Sequence, residues 1–429
     1  MTQPLNQTSS LLRALGPGLL FAAAAVGVSH LVQSTRAGAE YGLALGGIII
    51  LANIMKYPAF RYGAQYAAAT GTSLLEGYRK LGPWALWLYG FLTLATMFTV
   101  QAAVTLVTAG LAVAVFQTSW SLHIVSAILL AICAALLGIG QYKWLDVISK
   151  GLIAVLTVTT LIATALALPR IDAPILPFLT GPAEWTVPTL VATAALVGWM
   201  PSAVDVSVWQ SLWTLSRGKD QGSRLSVRDV LTDFHIGYVG TTILALCFMI
   251  MGAGVMFGSG ATLADSAGGF AAQVVSMYAS TLGDWMRPVV GAAALAVMFS
   301  TTLTVADGFP RALAALRQRL KGPEEPYGDE TSIQRVDYGV WLLLIASGGL
   351  LIIVFASSSL RWLVDLATTL SFLTAPMLSG LNHLVMHQPS VPAENRPSEA
   401  MRRFSLACVA AQAIFATGYL YVRFVLVPA

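Results

Sequence analysis

Met200-Pro201-Ser202 stands in the middle of one apolar stretch of this chain, and Gly27-Val28-Ser29-His30 in the middle of another. A Pro inside a helix removes a backbone donor and clashes with the carbonyl one turn back, so Pro201 predicts a break that leaves peptide groups unpaired. Unpaired peptide groups at membrane depth are tolerated only beside a cavity or buried in protein. Interrupted stretches at corresponding positions of two chain halves point to a substrate site, because freed carbonyls and half-helix ends then face the substrate of a secondary transporter.

The rest of the chain gives these two stretches their setting. Of 429 residues, 56% are hydrophobic and 10% charged, and the mean hydropathy is +0.73, which excludes a soluble globule and predicts an all-α polytopic membrane protein. A spanning helix needs about 20 apolar residues. Eleven such stretches are read, at 15–43, 44–69, 83–116, 120–141, 144–168, 188–215, 232–257, 285–316, 337–356, 359–386 and 402–427, so that residues 1–429 form one membrane domain.

Basic residues predict the orientation. With the amino terminus inside, Arg79, Lys80, Lys143, Arg217, Lys219, Arg224, Arg228, Arg317, Arg319, Lys321, Arg335, Arg396, Arg402 and Arg403 fall on cytoplasmic connections. Only Arg170, Arg287, Arg361 and Arg423 then lie outside, as does the carboxyl terminus. The net charge of +4 is therefore a topology signal, and its division among short loops argues against nucleic acid as a partner. Cys133, Cys247 and Cys408 lie in apolar runs and suggest no disulfide framework. The polar start, Met1 to Arg13, carries no small-residue cleavage site and is expected to remain. Connections at 216–230 and 317–336 read as solvated linkers, and Gly258 to Gly283 as an outer segment with a short helix around Phe270 to Tyr278. Trp84, Trp87, Trp120, Trp144, Trp285 and Trp362 read as interfacial anchors.

At the residue level the chain resembles the Nramp metal-ion transporters. The resemblance is carried by Gly16-Pro17-Gly18-Leu19-Leu20, Ala37-Gly38-Ala39-Glu40-Tyr41-Gly42, Asn53-Ile54-Met55 and Met200-Pro201. Thr70-Gly71, Leu74-Leu75-Glu76-Gly77-Tyr78-Arg79 and Ser300-Thr301-Thr302-Leu303-Thr304 extend it. It implies a leucine-transporter-like fold: spans one to five (1–168) and six to ten (188–386) as inverted repeats, an eleventh span at 402–427, and a site between broken spans one and six.

The departures from the family pattern fall on its site. Gly27, Val28, Ser29 and His30 stand where the family has Asp-Pro-Gly-Asn, so the metal-binding Asp and Asn are missing. Met200 keeps the thioether position, while Ser202 and Ser207 replace His residues. Met97 replaces an Asp on the family's proton route, Ser34 and Arg36 hold positions that are usually acidic, and Thr374 replaces a Gln. Hard dications need oxygen ligands and usually anionic charge, whereas softer ions accept imidazole and thioether. The expected site offers His30 and Met200 as metal ligands, with Gly27, Val28, Ser29, Ser202 and Thr374 as further substrate contacts.

Two buried charges complete the reading. Arg36 and Asp205 lie one or two turns past the two breaks, where an intramembrane charge costs about 2.5–3.5 kcal/mol to insert and is a functional candidate by default. They are placed to meet, either as a structural ion pair bracing the two half-helices or as a substrate or gating contact. Hydroxyls of Ser300, Thr301 and Thr302 on span eight are candidates for a sodium site facing the first break, against the plain alternative of bonding to their own helix turn. Asp307 and Arg311 read as a helix-face pair, Glu40 as structural and His235 as interfacial.

No nucleotide loop or nucleophile elbow competes, so no enzyme activity and no cofactor are expected beyond a transported or coupling ion, divalent metal or sodium. The leading expectation is an alternating-access carrier in a bacterial-type cytoplasmic membrane, moving a cation through a carboxylate-poor site without the usual proton route. The alternative is a sodium-coupled or uncoupled carrier of a small organic solute; a non-transporting sensor is disfavoured by the short loops. Partners are membrane lipid and the small substrate, with the oligomeric state open.

Overall fold

The computed structural model describes residues 16–139, 143–171, 176–220, 225–260, 263–326, 335–356 and 359–426, which are helical with no strand among them. The start from Met1 to Arg13 and the centres of the two long connections, 221–224 and 327–334, lie outside the described residues.

In chain order the α-helices are α1 (Pro17–Ala25), α2 (Thr35–Tyr41), α3 (Gly46–Thr70), α4 (Leu74–Leu81), α5 (Pro83–Phe116), α6 (Leu122–Ile139), α7 (Lys143–Ala167) and α8 (Leu176–Thr180). They continue as α9 (Val187–Gly198), α10 (Val206–Asp220), α11 (Val227–Val255), α12 (Ala267–Leu282), α13 (Arg287–Lys321), α14 (Arg335–Ala356), α15 (Leu360–Met386) and α16 (Glu399–Tyr421). A wide π-helical turn, Ser29–Ser34, joins α1 to α2.

Local chemistry places the ends. Thr186, Ser226, Ser266, Ser359 and Ser398 precede α9, α11, α12, α15 and α16, and each side chain accepts a backbone N–H from the first turn. Such caps satisfy one of the donors that a helix start leaves free. Pro occupies the first turn of α1, α5, α9 and α13, where no intrahelical donor is needed. At its far end α3 stops at Gly71, whose φ of 70° is the left-handed conformation that glycine adopts without strain.

Each expected span overlaps a helix or a broken pair of helices. Among the described residues, six helices are individually long and apolar enough to cross a bilayer, and three shorter apolar ones accompany them. The linker regions are shorter than expected, because α10 runs on to Asp220 and α13 to Lys321. The expected helix in the outer segment is present as α12, with Phe270, Val274, Met277 and Tyr278 buried.

Packing divides the helices into two groups. In one, α5 sits centrally against α12, α13, α14 and α15; in the other, α11 packs against α1, α2, α3 and α7, and α10 lies on α3. The gradient of burial is steep: 72% of the apolar window of α5 is buried, against 22% for α14 and for α16. Trp84, Trp87, Trp120, Trp285 and Trp362 are exposed, as anchors at a lipid interface require. The side chain of Trp144 is outside the described set.

Candidate functional site

The sixth span breaks where Pro201 demands it. Helix α9 ends at Gly198 and α10 begins at Val206, so carbonyls at the end of α9 and in the irregular segment lose their regular helical donors, that of Val197 keeping a long bond from the Met200 N–H at 3.3 Å. Three of them converge on one cation. The ammonium of Lys56, from the middle of α3, donates to the carbonyls of Val197 at 2.7 Å, Gly198 at 2.7 Å and Ser202 at 3.1 Å. All three donors of the group are thereby used, and Lys56 is only 1% exposed. The geometry depends on close approach: a Cβ on Gly198 would stand 1.9 Å from the carbonyl oxygen of Thr368, so only glycine lets α9 lie this near α15. Next to it, the Trp199 indole donates to Ser371 at 2.8 Å.

Asp205 ends the same irregular segment at 1% exposure, and its Oδ1 has no hydrogen-bond partner. Lys56 and Asp205 act on each other electrostatically without forming an ion pair. Met200 is fully buried in an apolar cluster with Ile49, Ala52, Met249 and Phe372. Ser202 is buried, and it meets Lys56 through its carbonyl.

The first break is smaller and satisfied from within. Helix α1 stops at Ala25, and the Gly27 N–H turns back to the carbonyl of Ala25 at 2.8 Å. The Ala23 carbonyl, which a continuing helix would have used, accepts the Thr301 hydroxyl at 3.1 Å. Gly27 fits against the same side chain, since a Cβ there would lie 2.6 Å from a Thr301 carbon. Ser29 donates to Ala25, and Ser34 donates at 3.2 Å to the Ser29 carbonyl within the π turn.

His30 faces α11 rather than a ligand. Its Nε2 lies 2.8 Å from the Thr241 carbonyl, an acceptor only, so this nitrogen carries the proton. Its Nδ1 lies 2.8 Å from Ser29 Oγ. Both ring nitrogens therefore lie beside protein oxygens in this conformation. Among the described residues no group of three or more His, Cys, Asp or Glu is arranged to hold a metal ion.

The expected pairing of Arg36 with Asp205 is corrected. Arg36 makes a two-pronged bond to Asp365 of α15, at 2.7 and 3.1 Å, and lies 3.4 Å from Glu40 one turn along. Glu40 continues to Arg361 at 3.2 Å, and Gln33 reaches Asp365 and Thr368 at 3.4 Å. The fork geometry of a guanidinium selects a carboxylate that can be met edge to edge, and Asp365 provides it. This network ties the second half of span one to span ten.

The span-eight hydroxyls do not converge. Thr301 turns to the first break, whereas Thr302 meets Thr108 of α5 at 2.7 Å and bonds back to Met298 at 2.9 Å. Thr301 and Thr302 therefore each have neutral partners. Thr374 bonds back to Ser371 at 3.2 Å. Ser207 joins Asn382 at 2.8 Å, and Asn382 also meets Ala59 at 3.0 Å and Tyr78 at 2.5 Å. Met97 is fully buried in the main core. Arg311 and Asp307 pair at 2.8 Å as expected, and Tyr57 meets His235 at 2.7 Å.

Lys56 and Asp365 were the residues missed by sequence reading. Each is a charge inside an apolar stretch, which is itself a signal. Asp233 carried less warning: its carboxylate accepts the N–H groups of Gly16 at 3.3 Å and Gly18 at 2.6 Å, capping α1 from α11.

Two broken spans, carbonyls turned inward at the second, and a bundle of helices leaning on a separate scaffold define a secondary transporter with the leucine-transporter fold. Within that class, the chain belongs to the natural resistance-associated macrophage protein-like family, Nramp, whose profile matches residues 18–422. It is a membrane transporter and not an enzyme. An uncharacterized protein of Pasteurella multocida is 36% identical over 387 residues, 89% of this chain and 87% of that one. A single-site variant of the Eremococcus coleocola manganese transporter superposes with a TM-score of 0.74 at 14% identity, covering 100% of this chain and 91% of that one. MhsT in complex with L-phenylalanine superposes at 0.64 with 13% identity, covering 99% and 100%.

Proposed function

We propose that this chain works by alternating access and carries a cation, a divalent metal by family membership, through a site at the sixth break. The supporting observation is the set of carbonyls from Val197, Gly198 and Ser202, which already surround one positive charge. Neutral oxygens in that arrangement suit a cation, and the thioether of Met200 stands on the same segment for a softer ion. The absence of an acid at the first break and of a carboxylate at Met97 leaves transport without the family's usual proton route. In this reading the bundle with spans one, two, six and seven rocks against the α5, α13, α14 group, the 1–168 and 188–386 segments serve as repeats, and the Arg36–Asp365 pair opens when the outer face opens. The amino terminus lies inside a bacterial-type cytoplasmic membrane.

Uptake of Mn²⁺, Mg²⁺, Zn²⁺ and Na⁺ into proteoliposomes tests the reading, with calorimetric binding beside it. Saturable uptake of a divalent ion, reduced in Met200→Ala, is the expected result; no uptake of any divalent ion rejects it.

One observation favours a second reading, a carrier of a small organic solute. The carbonyls are occupied by Lys56, so the sixth break has a positive charge of its own, suited to an anionic group on the solute. MhsT, which shares the fold, is a protein seen with an amino acid bound. Solute uptake without any divalent ion separates the two.

A further inference from the structure

Lys56 and Asp205 form a two-position arrangement around the sixth break. We propose that Lys56 is a built-in competitor for the cargo cation: its ammonium holds the carbonyls of Val197, Gly198 and Ser202 in the empty carrier and swings toward the Asp205 carboxylate when a cation takes them. The proposal rests on the cation reading given above.

Four features carry it. The first is completeness, because an ammonium has three donors and each finds a carbonyl, at 2.7, 2.7 and 3.1 Å. The second is chemistry, because three neutral backbone oxygens freed by a helix break are what a hard cation takes, and the ammonium has taken them first. The third is the vacancy beside it. A buried carboxylate oxygen without a well-formed hydrogen bond is costly and rare, yet Asp205 Oδ1 is in that state at 1% exposure, beside the Thr93 hydroxyl, which also makes no well-formed bond. The fourth is reach. Asp205 belongs to the segment that supplies the Ser202 carbonyl, three residues further on, and Lys56 carries its charge on a flexible stem of four carbons.

The displaced charge stays compensated throughout. In one position it lies on carbonyl dipoles, and in the other on a carboxylate, so cargo binding never strands a bare ammonium in the bilayer. Competition of this kind sets specificity, since a cargo must bind the carbonyls better than the tethered ammonium does.

The test is calorimetric binding of Mn²⁺ and Mg²⁺ to the purified full-length protein and to Lys56→Met, Lys56→Gln and Asp205→Asn, each checked for monodisperse elution. Removal of the ammonium is expected to tighten binding by about ten-fold or more, a change easily read as a shift in Kd. Asp205→Asn is expected to weaken it, since the ammonium then has no acid to move to. Lys56→Gln keeps a neutral donor for the carbonyls and serves if the Met variant does not fold.

A gain in the variants without binding or uptake by the natural chain upholds the competitor and rejects a metal cargo. Uptake by the natural chain with no gain in well-folded variants upholds the cargo and overturns the competitor. Loss of folding in both Lys56 variants also overturns it, leaving Lys56 as a structural staple of the broken span.

Discussion

Arg36 and Lys56 are both cations surrounded by apolar helices, and they are held by opposite means. Arg36 rests on two acids, Asp365 and Glu40, while Lys56 rests on carbonyls alone. Arg36→Ala leaves Asp365 without its two-pronged partner, and breaking a buried pair in this way costs about 3–5 kcal/mol. A clear drop in the thermal unfolding temperature of detergent-purified protein is expected, with partial recovery when Asp365→Asn is added. A drop that the second substitution does not relieve would show that the pair contributes little. Thr301→Val probes the other break: it loses the bond to the Ala23 carbonyl, and if Thr301 also serves a coupling ion, sodium-dependent uptake disappears. Unchanged sodium dependence in Thr301→Val with Thr302→Val rejects any sodium role for these hydroxyls. At this scale the sequence shows that Arg36 is a costly charge but not where its partner lies, because Asp365 is 329 residues away. Lys56, in the middle of the 44–69 stretch, gives the same signal and is understood only once α3 is seen beside the break.

The two interrupted spans differ as elements. The sixth was legible because a proline removes a helix donor, and α9 ends three residues before Pro201; the signal is not sufficient by itself, since α3, α13 and α15 continue through Pro58, Pro310 and Pro376. The first contains no such residue, and its exact form was not legible: the break falls just before Ser29, and the expected Gly27 to His30 opening is partly a continuous π turn. Wide turns of this kind arise from packing against neighbours, here Thr301 and Thr241, and leave no periodic mark in the chain. Gly198→Val is the sharpest test of the sixth break as an element. Its added carbons meet the Thr368 carbonyl and push α9 off α15, so a loss of uptake with a lowered unfolding temperature is expected. Normal uptake in that variant would mean the two helices are free to separate by more than the packed form shows.

For the whole molecule, composition alone was enough for class and approximate span positions, since lipid forces apolar stretches of a known length. How the helices group was not written in any one stretch. The division into an α5-centred group and an α11-centred group depends on which faces meet, and one helix, α11, touches α1, α2, α3 and α7. Most of the expected site residues lie near the two breaks, but what they bond to depends on elements from both halves. That is why His30 turned to α11 and Arg36 to Asp365.

The unequal burial of α5 and of the outer helices α14 and α16 has a consequence for how freely this sequence can drift. A side chain facing lipid tails loses nothing when one apolar residue replaces another, because the tails are as apolar as leucine. Leu343, Leu351 and Phe355 on α14 are exposed in this way, and exchanges among Leu, Ile, Val and Phe there are expected to leave expression and uptake unchanged in a saturation scan. The same exchanges at Leu106 or Leu111 of α5, both fully buried, are expected to reduce them, since overpacking or a cavity costs about 1–3 kcal/mol or more. Substitutions in related chains should therefore accumulate at the rim, leaving the centre as the slowly changing record of what passes through.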